Sequence, residues 1–180
     1  RIIEHVIEIG RPADGMLFAM KAETLSERRE ARRESIGDKI EKIREILNDD
    51  DPFLIWCDLN KESEAISRAI GAVEITGAQD NETKESAMIG FSEGRHRMIC
   101  TKPKIAGFGM NWQHCNNIIF AGLSDSYESF YQAIRRCWRF GQKKPVNCHI
   151  ITTDIEGNIV DNIKRKEADA QRMKEEMIKH

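Results

Sequence analysis

Phe53-Leu54-Ile55-Trp56-Cys57 is an unbroken apolar run, and a charged, amphipathic stretch over 61–70 follows it almost at once. Five apolar residues without polar alternation read as a strand buried on both faces, the kind found inside parallel sheets. Asn60 is the expected cap of the helix over 61–70. The same rhythm continues outward. Val73-Glu74-Ile75-Thr76 reads as a second strand closed by Gly77, residues 82–91 as a helix, and Gly94 as a turn. Arg97-Met98-Ile99-Cys100-Thr101 and Asn117-Ile118-Ile119-Phe120-Ala121 are further strands. A helix over 126–140 and a fifth strand over 146–152 complete the series. Strands alternating with helices predict an α/β fold, a mostly parallel sheet with helices on both faces. Ligands of such sheets collect at the carboxyl ends of the strands.

The flanks read differently. Residues 1–9 alternate weakly, as a strand or an extended lead-in, until Gly10, Pro12 and Gly15 break them. Residues 22–47 look helical, with Ile36, Ile40, Ile43 and Leu47 at helical spacing. Asn48-Asp49-Asp50-Asp51-Pro52 ends that helix. Residues 155–179 form a final amphipathic helix with the irregular stripe Ile159, Ile163, Ala170, Met173 and Met177, packed on the domain or docked on a partner. The chain thus divides into a helical lead-in over 1–51, an α/β domain over 52–153 and a C-terminal helix over 154–180.

Composition limits the function classes. The 180 residues are 40% hydrophobic and 32% charged with a net charge of −2, a globular pattern that is not the basic footprint of a histone-like binder. Local clusters still suit phosphate: Arg95-His96-Arg97, Lys102-Pro103-Lys104, Arg135-Arg136 and Lys143-Lys144. No run approaches the ~20 apolar residues of a membrane span, and the first residues do not read as a signal peptide. The five cysteines are odd in number and form no Cys-x-x-Cys, so Cys57, Cys100 and Cys148 read as reduced, buried thiols of a cytoplasmic protein. His114-Cys115 lacks a second ligand pair, so no metal site is expected.

Two stretches carry chemistry. The first is Gln132-Ala133-Ile134-Arg135-Arg136-Cys137-Trp138-Arg139-Phe140-Gly141-Gln142. Arg136 and Arg139, three apart, would share a helix face. Guanidinium is permanently charged and fork-shaped, which suits a polyphosphate and the charge that builds as a γ-phosphate leaves. The second is Thr101-Lys102-Pro103-Lys104-Ile105-Ala106-Gly107-Phe108-Gly109-Met110-Asn111. There a hydroxyl, two lysines and two glycines follow a buried strand, so backbone and cations can approach a phosphate closely.

These stretches resemble motifs VI and V of superfamily-two helicases and translocases in their Swi/Snf-like form. Phe108 stands where that form has Leu, and Lys-Pro-Lys-Ile replaces its Ala-Gly-rich lead, a wording most like phage or prophage helicases. Residues 53–58 resemble motif IV, and Thr76-Gly77 with Phe91 the segment between motifs IV and V, so the likeness spans about 52–153. It implies the second, C-terminal RecA-like domain, a three-layer sandwich with helical extensions at both ends.

By that resemblance ATP lies between two RecA-like domains, and Mg2+ is held by the first. Arg136 and Arg139 would be arginine fingers and Gln132 would orient the site. Gly107, Gly109 and Asn111 would line the ATP edge. Thr101, Lys102 and Lys104, with Asn60 and Lys61, would contact nucleic acid, DNA in preference to RNA. The partner would be an N-terminal RecA-like domain of the same protein. The sequence contains no Gly-x-x-x-x-Gly-Lys-Ser/Thr loop and no Asp-Glu-x-His pair, so this chain alone is expected to be catalytically inactive. Two other classes compete. One is a non-catalytic nucleic-acid-binding or protein-docking module. The other is a nucleotide-sugar transferase, which leaves Gln132, Arg136, Arg139 and Gly141-Gln142 unexplained.

Overall fold

The computed structural model describes residues 1–8, 33–106, 110–124, 126–154, 156 and 159–178. Among the described residues six strands form one sheet: β1 (Ile2–Ile7), β2 (Phe53–Trp56), β3 (Val73–Glu74), β4 (Met98–Thr101), β5 (Asn117–Phe120) and β6 (Asn147–Thr153). The order is β1-β6-β5-β2-β4-β3, and every pair is parallel. The helices are α1 (Ile36–Ile46), α2 (Asn60–Ile70), α3 (Asn81–Ser92), the single turn α4 (Pro103–Ala106), α5 (Tyr127–Ile134) and α6 (Ile159–Ile178).

The five strands expected after residue 52 all form. β3 is short, only Val73 and Glu74, and the Ile75 N–H makes its last ladder bond to Cys100 O of β4 at 2.9 Å. Asn60 is the first residue of α2 rather than its cap, and the Glu62 carboxylate takes up the free amides of Asp58 and Leu59 at 3.2 and 3.0 Å. At α3 the cap is Asp80, whose side chain accepts from Thr83 N at 2.8 Å. The breaks expected at Gly10, Pro12 and Gly15, and the part of the 22–47 helix before residue 33, lie outside the described residues.

Strand alternation sorts the core into two layers. Leu54, Trp56, Ile99, Ile118, Phe120 and Ile150 face one side, against Phe91, Ala106, Trp112, Phe130 and Ile163. Phe53, Ile55, Met98, Cys100, Ile119 and Ile151 face the other, against Ile43 of α1 and Ile66 of α2. Ile40 and Leu47 pack on that second layer, as their helical spacing predicts. The result is helix, sheet, helix in three layers. The segment before residue 52 contributes to it directly, β1 as a sheet strand and α1 as a cover.

Edge strand β1 carries a titratable contact. His5 and His149 stack with ring centroids 5.3 Å apart, and His5 Nε2 lies 3.0 Å from His149 Nδ1. Burial lowers both pKa values below the ordinary 6.5; Lys42 lowers His5 further while Glu45 opposes it, and His5 adds to the shift of His149. The unfolded chain therefore binds more protons as pH falls. The pair's contribution is full above about pH 6.5 and is lost as pH drops through the folded-state values. The melting temperature is expected to fall between about pH 7 and about pH 5.5, less so in His149→Gln. A melting temperature unchanged by acid, or the same fall in the variant, would contradict this.

Candidate nucleotide and nucleic-acid site

Helix α5 begins at a serine cap, with Ser126 Oγ accepting from Ser129 N at 3.2 Å, and buries Phe130 and Ala133. It stops at Ile134, six residues short of the 126–140 span expected from sequence. Beyond it the amides of Arg136 and Cys137 bond back only three residues, to Ala133 O and Ile134 O at 3.3 and 3.1 Å. The reason lies across the chain. Arg136 O is taken by Trp112 N at 2.9 Å instead of a later helical amide. Gln142 Nε2 donates to the carbonyls of Gln113, Cys115 and Cys137 at 2.9, 3.4 and 3.2 Å. One amide side chain thus stitches the end of the turn to the 110–115 loop. Gly141, at φ +93°, takes a backbone conformation that a side chain would strain, beside the Gln113 amide.

That loop is itself anchored. Trp112 is fully buried, edge-on to Phe91 at 5.4 Å and 6.3 Å from Trp56. An aromatic ring so placed is worth about 3–5 kcal/mol against truncation.

The arginines therefore stand on a fixed turn rather than on one face of a continuous helix. Arg136 is only 4% exposed and donates from Nη1 to Met110 O at 3.5 Å. Arg139 is half-buried and donates from Nε to Arg135 O at 3.1 Å. Burial, and then the like charge of Arg139, lower the pKa of Arg136. An anion between the two guanidiniums would relieve that repulsion. Arg135 does something else: it lies over the rings of Tyr131 and Trp138, 6.0 and 5.7 Å from their centroids. Gln132 is exposed on α5, one turn before Arg136. Asn111 is exposed and follows Met110, and its Oδ1 accepts from Gln113 N at 3.3 Å. Gly107 and Gly109 lie outside the described residues.

A second cluster sits where the sheet order reverses, at the carboxyl ends of β2, β4 and β5. A cavity of about 190 Å³ opens there, lined by Asp58, Lys102, Lys104, Ser124, Ser126 and Ser129 among others. Lys102 Nζ donates to Asn60 Oδ1, so two residues singled out separately from sequence meet at its rim. Lys104 is exposed on α4, and Lys61 is exposed on the first turn of α2. Thr101 is placed otherwise. It is fully buried and its hydroxyl donates to Ile75 O at 3.0 Å, because its position in the last β4 register turns it into the sheet. Its side chain does not face the cavity in this structure.

The three serines were not anticipated as cavity residues, although the Ser126-x-x-Ser129 spacing that starts α5 was a usable signal. Helix α5 connects the clusters: its first turn lines the cavity, its end leads into Arg136, and eight residues rise about 12 Å. Cys115 is buried in the core and His114 is exposed beside it. His114 packs against Phe91 at 4.8 Å, and the Cys115 thiol donates to Asn117 O at 3.2 Å. Among the described residues no helix is long and apolar enough to cross a membrane.

Comparison with known proteins agrees with this architecture. Residues 38–141 match the helicase conserved C-terminal domain family. The structure resembles the C-terminal part of the Fun30 ATPase domain at 22% identity and TM-score 0.62, over 69% of this chain and 45% of that one. It also resembles a DEAD box protein from the hyperthermophile Methanococcus jannaschii at 20% identity and TM-score 0.62, over 72% of this chain and 37% of that one. The chain thus spans less than half the length of either structure. At these identities they show a shared fold, the RecA-like α/β sandwich. No curated protein matches. With the match covering more than half of its residues, the chain belongs to the helicase conserved C-terminal domain family.

Proposed function

We propose that this chain is the second RecA-like half of an ATP-dependent DNA translocase of superfamily two, in the Swi/Snf-like form that its Gln132 to Gln142 run resembles, with a phage-type motif V. The observation that carries the reading is the turn after α5. Two like-charged arginines are held there by backbone bonds to the 110–115 loop and by the Gln142 amide. A pair of guanidiniums fixed in this way fits a polyphosphate. When bound between this domain and an N-terminal RecA-like partner, ATP with Mg2+ supplies the transferable γ-phosphoryl group.

This chain's residues would then act as follows. Arg136 and Arg139 meet the charge that builds on the phosphoryl oxygens. Gln132 and Asn111 orient the edge of the site, and Gly107 and Gly109 are further residues assigned to it. Lys102, Asn60, Lys104 and Lys61 hold backbone phosphates of DNA at the carboxyl edge of the sheet. Domain closure on nucleotide, and opening after hydrolysis, would shift that grip along the strand. Five free, buried cysteines suit a reducing, cytoplasmic setting.

The nucleic-acid half of the reading is tested by titrating the chain with duplex DNA over a range of salt. Lys102→Ala should weaken binding evenly across sequences and reduce the slope of log affinity against log salt by about one. An unchanged slope would remove Lys102 from the track.

A further inference from the structure

We propose that Lys39, on α1, is a positioning residue that sets the phosphate contact made by Asn60 and Lys102. The proposal rests on the nucleic-acid reading of that pair. Lys39 has no exposed surface. A buried ammonium is costly, and a well-packed apolar residue in its place is often neutral or better for stability. The contacts of Lys39 give the burial a geometric role.

The Lys39 ammonium has three donors, and they reach three segments far apart in sequence. Nζ bonds Glu156 Oε1 at 2.8 Å, Ala121 O at 2.9 Å and Glu62 Oε1 at 3.4 Å. Those groups belong to the chain after β6, the end of β5 and the first turn of α2. Both carboxylates extend the network with their second oxygen. Glu156 Oε2 accepts from Thr153 N at 2.8 Å. Glu62 Oε2 accepts from Asp58 N at 3.2 Å and Leu59 N at 3.0 Å. A single cation thus fixes the ends of β2, β5 and β6 against one another.

The cavity rim lies one residue further on. Asn60 follows Leu59 directly, and Lys102 reaches Asn60 from the end of β4. Gly122, which also lines the cavity, shows how close the fit is. A Cβ there would come within 2.5 Å of Glu62 Oε2 and 2.8 Å of Asp58 N. The path from Lys39 through Glu62 and the Asp58 and Leu59 amides to Asn60 is continuous.

The test uses the purified 180-residue chain, a duplex oligonucleotide and a salt titration. Lys39→Met alone would leave two buried carboxylates facing each other, so it is combined with Glu156→Gln, which leaves Glu62 on its two amides. Gly122→Ala is the second variant; it displaces Glu62 without changing any charge. Each is measured alone and together with Lys102→Ala. The expected result is a loss of about tenfold in affinity and a salt slope flatter by about one, with no further loss when Lys102→Ala is added. Parental affinity and slope alongside a lowered melting temperature would overturn the proposal, showing a purely structural network. Losses that add to that of Lys102→Ala would overturn it too, as would failure of both variants to fold. If the unaltered chain binds no duplex, the nucleic-acid reading itself fails and the proposal falls with it. If it binds and both variants bind as it does, the nucleic-acid reading stands and Lys39 alone loses its role.

Discussion

Arg136→Ala is expected to lower ATP hydrolysis by about 10³–10⁵ in a protein that joins this chain to an N-terminal RecA-like domain, with ATP binding much less affected. The difference follows from where the charge appears. Ground-state binding of triphosphate and Mg2+ is assigned to the first domain. On the proposed reading Arg136 would act on charge that develops only as the γ-phosphoryl group transfers, so its loss should fall on turnover rather than on binding. The turn that holds it does not depend on the side chain alone. Arg136 O still accepts from Trp112 N, and Gln142 still bonds three carbonyls. Arg136→Lys keeps the charge but lacks the planar fork, so it should recover little. Hydrolysis and nucleotide binding measured on both variants decide the matter. Retained hydrolysis in Arg136→Ala would sink the finger assignment.

The fold was legible wherever apolar runs were short and unbroken. Phe53 to Trp56, Met98 to Thr101 and Asn117 to Phe120 form central strands, and burial on both faces is what such runs encode. For the candidate site, the Gln132 to Gln142 run marked the stretch in sequence, and the structure holds its end by Gln142 bonds to the Gln113 and Cys115 carbonyls. The site was not legible where a side chain reaches far along the chain. The helix over 126–140 looked continuous because nothing local marks Ile134 as its end. The stop depends on Trp112 and Gln113, some twenty residues earlier in sequence.

Lys39 shows the same limit more sharply. Lys39 lies at i+3 from Ile36 and i−4 from Ile43, next to the apolar stripe of α1, but lysine is rarely buried unless paired, and nothing local names a partner. Its partners, Glu62 and Glu156, lie 23 and 117 residues away. Thr101 is a third case. Its residue type suited a phosphate, but the pleat decides which way a strand's last side chain points, and here it points inward.

The second large effect concerns the chain alone. It carries the paired arginines but no phosphate-binding loop, so an ATP site built from its residues has one wall. Without the other wall neither the triphosphate nor Mg2+ is oriented, and orientation supplies much of the rate in phosphoryl transfer. Adding an N-terminal RecA-like domain should restore turnover that depends on Arg136. The most direct test is ATP hydrolysis by the purified 180-residue chain, with and without DNA. No significant turnover is the result this account predicts. Turnover on the order of 1 per second or faster would mean that the chain holds a complete site, and would contradict it.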